Sequence, residues 1–204
     1  MTDTLPMFPL GAVLFPTLVL PLHVFEPRYR ALTRDCLEGD RRFGVVLIER
    51  GSEVGGGDVR FRVGTVAQIV QAAELPDGRF ALGTVGTERI RVTRWLDDDP
   101  YPRAEVERWP DPAPTDSLAA THADNVARLR RVLALKAELG ELAAPATIEL
   151  STDVVTAGHQ AAAIAPIGPA DQQALLAAET PEDRASALAV LLADQEELLS
   201  FRLR

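Results

Sequence analysis

The sequence predicts an α+β protein in which a β-rich half with one inserted helix is followed by a helical half. Three observations support this prediction. Seven short apolar runs lie between turn signals before residue 110, and apolar residues recur at helical spacing after it. A proline-rich stretch at residues 110–114 separates the two patterns. The sequence therefore predicts two domains, residues 1–110 and residues 115–204.

Several predicted strands of the first half alternate apolar and polar residues, as in sheets that bury one face and leave the other wet. They span residues 5–10, 18–25, 43–49, 59–75, 79–85, 88–96 and 101–109. Residues 76–79 predict a hairpin, since Asp77-Gly78 readily supplies the positive φ angles of a tight turn. Many short strands of this kind favour a barrel or a folded-over sheet.

Helix-capping and helix-breaking residues predict where the helices begin and end. The inserted helix is predicted to begin at Pro27, where a missing N–H costs nothing, and to stop at Gly39. Four more helices are predicted in the second half. The first begins at Asp116 or Ser117 and ends near Gly140, and the second begins near Ser151 or Thr152 and ends before Pro166. The third follows Gly168-Pro169 and has Asp171 in its first turn. The fourth is capped by Thr180.

Composition and charge exclude several classes of protein. A net charge of −9 argues against a general nucleic-acid binder, and the β-rich half, with 14 basic and 16 acidic residues, offers no positive excess. No apolar stretch reaches the roughly 20 residues that span a membrane. The single cysteine, Cys36, cannot form an intramolecular disulfide, which agrees with a reducing compartment. A cytoplasmic protein without membrane contact is predicted.

Catalytic and metal-binding motifs are missing from the sequence. It contains no G-x-S-x-G elbow, no H-E-x-x-H pair and no G-x-x-x-x-G-K-[ST] phosphate loop, and its three histidines, His23, His122 and His159, are dispersed. We therefore expect no catalytic residue, no cofactor and no metal. An unrecognised hydrolase stays as an alternative, because a catalytic triad assembles from distant positions.

The predicted strand at residues 18–25 is apolar on both faces. One face carries Leu20, Leu22 and Val24, and the other carries Val19, Pro21, His23 and Phe25. Either the strand is buried on both sides, or one face lines a groove for an apolar segment of another polypeptide. The second interpretation gives the candidate peptide-binding residues Phe15, Leu20, Leu22, His23 and Phe25. For His23 the alternative is a hydrogen-bonded structural histidine within the barrel opening.

The first 30 residues carry a specific resemblance. The pieces L-P-M-F-P-L at residues 5–10, V-L-F-P at 13–16 and L-P-L-H-V-F-E-P-R-Y at 20–29 resemble, in order, the opening of the Lon N-terminal domain family. Further similar pieces extend over nearly the whole chain, although the match in the helical half is weak alone. The ATPase loop of Lon protease is missing, and Lys136, the only lysine, does not belong to a Ser–Lys protease dyad.

This resemblance implies a PUA-like β pseudo-barrel followed by a C-terminal helical bundle. It also implies a non-catalytic protein-binding module, whose partners are unfolded or apolar polypeptide segments and a separate protease or chaperone machine. The alternative from the same resemblance is RNA binding, because PUA domains proper bind RNA. A basic face on the β-rich half would favour that alternative.

Overall fold

The computed structural model describes residues 3–51 and 57–204, which contain a six-stranded sheet and five helices. The strands are β1 Asp3–Leu10, β2 Val19–Val24, β3 Arg42–Arg50, β4 Val59–Glu74, β5 Phe80–Trp95 and β6 Arg103–Arg108. The helices are α1 Pro27–Glu38, α2 Leu118–Glu138, α3 Val154–Ile164, α4 Pro169–Leu176 and α5 Pro181–Arg202. The predicted α+β class is confirmed. The chain divides into two compact units, Met1–Pro110 and Asp111–Arg204.

The sheet of the first unit closes on itself. Its strand order is β2-β5-β4-β3-β1-β6, and β5 also pairs with β6, so five strands form a ring. All pairs are antiparallel except β1 with β3. Strand β2 lies outside the ring and, among the described residues, pairs with β5 alone. The other edge of β2 is therefore free of strand partners.

The predicted strands at residues 79–85 and 88–96 are one continuous strand, β5, so the predicted break near Gly86 is wrong. Gly86 is a place where another segment crosses the strand. Its N–H donates to the Leu18 carbonyl (2.9 Å), and its own carbonyl accepts from the Thr17 N–H (2.7 Å). A side chain at Gly86 would clash with the carbonyl of Phe15. Glycine here permits close backbone approach instead of ending the strand.

Two apolar clusters fill the first unit. One combines α1 with residues of β1, β2, β3, β4 and β5, and within it the ring of Phe8 stacks on Tyr29 at a centroid distance of 4.1 Å. The other draws on all five ring strands; its members are Leu5, Met7, Val46, Val66, Ile90, Val92, Ala104 and Val106. The sheet therefore buries apolar side chains on both faces over much of its area, which explains why several strands look apolar throughout.

The predicted inserted helix and the predicted hairpin of the first unit are confirmed. Helix α1 begins at Pro27 and buries Tyr29, Leu32 and Cys36. The hairpin tip closes through the Gly78 N–H, which donates to the Leu75 carbonyl at 2.8 Å, and Gly78 adopts a φ of 76°. Glycine adopts that left-handed conformation without a steric penalty.

In the second unit, α2 and α5 pack against each other, and α3 and α4 pack against α5. The predicted start of α5 is confirmed, since the Thr180 side chain accepts from the Asp183 N–H at 3.0 Å. Helix α4 also begins as predicted, with Asp171 in its first turn. The cap of α3 is Asp153, one residue beyond the predicted Ser151 or Thr152, because its carboxylate accepts from the Thr156 N–H at 2.8 Å.

The proline-rich segment belongs to the second unit. The Asp111 carboxylate contacts His159 on α3 and Arg184 on α5, and the Thr115 N–H donates to Glu182 on α5 at 2.6 Å. The segment predicted as a stiff linker is thus fixed at both ends to helices of this unit. The second compact unit begins at Asp111.

Candidate functional site

A row of apolar side chains on β2 points away from the core. Leu22 and Val24 are buried, whereas Val19 is 69% exposed and Phe25, just after the strand, is 54% exposed. Pro21 and His23 lie exposed between them. The alternation predicted for this strand is confirmed, and burial of both faces is excluded. We call Val19, Pro21, His23, Phe25 and Val70, which lies beside them on β4, the β2 surface.

Val70 joins this surface because β4 is irregular there. The ladder between β4 and β5 shifts register between Ile69 and Gln71, and Val70 within the shift is 61% exposed. On β5 the neighbouring position is Gly83, which pairs with Pro21 on one side and with Gln71 on the other. Since paired residues project from the same face of a sheet, Gly83 forms a shallow depression between the larger side chains of Pro21 and Gln71.

A cleft of about 200 Å³ opens beside the C-terminal end of β2. Its lining combines β1, β2 and the start of α1 in Phe8, Leu10, Pro21, Leu22, His23, Val24, Phe25, Glu26 and Tyr29. The volume lies below the roughly 300–1,000 Å³ typical of pockets for drug-sized ligands. The cleft therefore fits a single apolar side chain better than a cofactor.

The charged groups at this cleft are paired. The Arg28 guanidinium lies 3.2 Å from the Glu26 carboxylate and stacks 4.4 Å above the ring of Tyr29. Burial raises the pKa of Tyr29 to about 12, although Arg28 opposes the shift, so the phenol stays neutral near pH 7. Glu26 makes no side-chain cap bond to α1. Glu26 and Arg28 therefore form a mutual ion pair beside the ring of Tyr29.

The five predicted site residues differ in their exposure to solvent. Phe15 is 1% exposed and is a core residue, and Leu22 is also buried, although it contributes to the lining of the cleft beside β2. Leu20 is half-buried and packs against the same core. Phe15 was predicted on the basis of its proline-rich turn, but that turn packs tightly on Gly86, which places its aromatic ring inside. Only His23 and Phe25 are exposed.

The structural interpretation of His23, within the barrel opening, is wrong. His23 pairs in register with Ala81 of β5 and is exposed on the outer face, because odd-numbered residues of β2 point outward. The two tryptophans lie against arginines. The Arg60 guanidinium is 4.9 Å from the ring of Trp95, and Arg89 and Arg91 are 4.2 and 4.1 Å from the ring of Trp109.

Sequence reasoning missed two groups of residues. Val70 was one apolar residue among many in a long predicted strand, and nothing in the sequence marks the register shift that exposes it. The second group is the buried cluster of Asp111, His159 and Arg184. A histidine within the alanine-rich stretch at 157–163 was a usable signal, because a buried imidazole requires a polar partner.

Neither a cluster of metal-binding side chains nor a membrane-spanning helix is found in the part of the chain that the structure describes. Its His, Cys, Asp and Glu side chains form no group of three or more that could hold a metal ion. Among the described residues, no helix combines the length and the apolar character needed to cross a bilayer.

The fold is that of Lon N-terminal domains. It superposes on the crystal structure of a Lon N-terminal domain protein from Xanthomonas campestris with a TM-score of 0.66 at 27% identity, covering 92% of this chain and 98% of that one. The N-terminal domain of a Mycobacterium avium complex Lon protease has the same fold, with a TM-score of 0.67 at 17% identity over 94% and 99% of the two chains.

Residues 4–194 match the family model of the ATP-dependent protease La (LON) substrate-binding domain. The chain belongs to this family, as the resemblance in its first 30 residues predicts. Similar proteins include the Lon protease of Trichlorobacter lovleyi, 28% identical over 98% of this chain, and that of Anaeromyxobacter dehalogenans, 34% identical over 79% of it. These matches cover only 25% and 19% of the relatives, so the chain spans at most about a quarter of their length.

Proposed function

We propose that this chain is a non-catalytic polypeptide-binding module that takes unfolded or apolar segments on the β2 surface. The observation that carries the proposal is the exposed apolar row of β2, a strand with one free edge. The module delivers its client to a separate protease or chaperone machine. Membership of a substrate-binding domain family supports this role.

The chemistry of the β2 surface supports an apolar client. Val19, Phe25 and Val70 are three of the four large apolar residues exposed in the first unit, among those the structure describes. Val70 lies on β4, which is separated from β2 by β5, and small Gly83 of β5 lies between the two. Contiguous exposed apolar surface is uncommon on soluble domains unless it serves binding. The neighbouring cleft adds a place for one client side chain, and the aromatic ring of Phe25 is a typical binding anchor.

The finer architecture is part of the same proposal. We infer that the closed ring of strands is a PUA-like pseudo-barrel and that α2 to α5 form a helical bundle, so that residues 1–110 and 115–204 are separate subdomains. The binding role is assigned to the first of them. A cytoplasmic location fits the chemistry of Cys36, a lone thiol that needs no oxidising compartment.

The test is binding of an unfolded polypeptide, reduced and carboxymethylated lactalbumin, measured by fluorescence anisotropy with the full chain. Val19→Ser and Phe25→Ser should each weaken binding by about tenfold, because truncating an interface anchor costs at least ~1 kcal/mol. Both side chains are more than half exposed, so the melting temperature should stay unchanged.

The matched control is Val190→Ser on α5, since Val190 is 62% exposed and lies in the other unit. It should leave both binding and melting unchanged. Binding that survives both substitutions on β2 would place the client elsewhere. A fall in melting temperature would assign these residues to the fold.

A further inference from the structure

We infer that the β2 surface recognises the side chains of an uncharged extended segment and not its backbone, because Pro21 closes the free edge of β2 to strand addition. This inference rests on the proposed function and specifies how the client is held. Pro21 thereby becomes a residue that determines specificity.

The direction of the β2 backbone follows from two hydrogen bonds. The Leu18 carbonyl accepts from the Gly86 N–H at 2.9 Å, and the Leu20 carbonyl accepts from the Thr84 hydroxyl at 2.7 Å. Both carbonyls therefore point toward β5. In an antiparallel ladder successive residues direct their backbone groups to opposite sides. The backbone groups of Val19, Pro21 and His23 consequently face the free edge.

Pro21 lies in the middle of that edge and has no backbone N–H. A client strand added there would leave one of its carbonyls without a donor, while the flanking donors at Val19 and His23 are four residues apart. An unpaired carbonyl removed from water is costly, so continuous strand pairing across β2 is disfavoured. Proline on an exposed edge is a common protection against added strands.

The outer face of β2 can still bind side chains. Its neighbours on β5 and β4 are small or uncharged, namely Ala81, Gly83, Gln71 and Ala73. Two charged residues close to this surface in the sequence are paired, Glu26 with Arg28 at 3.2 Å and Glu74 with Arg34 at 3.4 Å. The β2 surface itself carries no carboxylate, lysine or arginine, so a charged client side chain would lose hydration here with only the His23 imidazole as a polar neighbour, and the surface favours an uncharged segment.

Three synthetic peptides separate the possibilities. The first is an uncharged eight-residue apolar peptide, the second is its twin with alternate backbone amides N-methylated, and the third carries Asp at its centre. The wild-type chain should bind the first two with dissociation constants within about twofold of each other, because no backbone N–H is required. The Asp peptide should bind about tenfold more weakly.

Pro21→Val restores the missing N–H. This variant should bind the unmodified peptide about tenfold more tightly than its methylated twin, and it should self-associate in sedimentation experiments through the opened edge. Pro112→Val, at an exposed proline of the second unit, is the control and should behave as wild type.

The outcomes are distinct. Loss of wild-type binding on N-methylation would mean that the client adds as a strand, which overturns the inference and leaves the proposed function standing. Equal binding of the Asp peptide would overturn the charge preference. Binding of none of the peptides would overturn the proposed function and the inference together. If Pro21→Val does not fold, wild-type binding of the unmodified and the N-methylated peptide still tests whether the client adds as a strand.

Discussion

The Asp111 carboxylate lies 2.5 Å from the Arg184 guanidinium, and its second oxygen lies 2.8 Å from the His159 imidazole. The side chains of Arg184 and His159 are almost completely buried. Arg184 also donates through Nε to the Leu175 carbonyl at 3.2 Å. A residue of the proline-rich segment thus supplies the carboxylate that compensates a buried positive charge among the helices.

Asp111→Ala should destabilise the chain by about 3–5 kcal/mol, because removing one partner of a buried ion pair leaves the other charge uncompensated. Urea unfolding of the full chain, followed by circular dichroism, measures the change. Asp116→Ala is the matched control, since Asp116 is exposed two residues beyond the same segment, and it should change stability by less than about 0.5 kcal/mol. Equal effects of the two substitutions would contradict the role of the cluster.

The same carboxylate predicts a pH dependence. Burial alone would raise the pKa of Asp111, but hydrogen bonds and charge from His159 and Arg184 outweigh it and lower the pKa from 3.8 to about 2. A depressed folded-state pKa stabilises the fold above the unfolded value, and this contribution is lost as pH falls from about 4 to 2. The stability difference between wild type and Asp111→Asn should therefore shrink by roughly 2 kcal/mol across that window. A difference that stays constant with pH would refute this assignment.

Phe15→Ala should reduce the free energy of unfolding by about 3–5 kcal/mol, as expected for truncating a buried aromatic residue. Thermal melting and urea titration measure it. The companion substitution Phe25→Ala, at an exposed aromatic ring ten residues later, should cost less than about 1 kcal/mol. The opposite ranking would show that Phe15 is the surface residue which the sequence suggested.

Two glycines should respond to alanine in opposite directions. Gly86→Ala places a methyl group against the Phe15 carbonyl and should destabilise the fold by about 1–3 kcal/mol. At Gly158, inside α3, a methyl group meets no atom within 4 Å. Gly158→Ala should therefore stabilise the chain by up to about 1 kcal/mol through helix propensity. Melting temperatures of the two variants test both signs, and a stabilising Gly86→Ala would exclude the close crossing.

Most helix and hairpin positions could be predicted from the sequence because their signals are local. Pro27, Thr180 and the Asp77-Gly78 pair each act within a few residues, and the structure confirms each of them. Gly86 misled the prediction because the same residue type signals a turn or a crossing segment, and only tertiary packing distinguishes them. Ring closure through β5 and β6 depends on long-range pairing, which no local pattern encodes.

The candidate site was predictable in part for the same reason. Period-two alternation correctly gave the two faces of β2, but it did not say which face is covered by α1. Leu22 was therefore assigned to the site although it is core, while Val19 was left out although it is exposed. Val70 depends on a register shift in another strand, and such irregularities follow from sheet closure, not from residue type.

The native thiol of Cys36 can report local unfolding of the first unit. The thiol lies on the buried face of α1, donates to the Arg42 carbonyl at 3.3 Å, and has its pKa raised to about 12 by burial. It belongs to the same apolar cluster as Leu22 and Val24 of β2. Because only an exposed thiolate reacts, the rate at which an alkylating reagent modifies Cys36 measures how often the support beneath β2 unfolds locally. The native thiol of Cys36 thus allows the rate of this local unfolding to be measured without any added label.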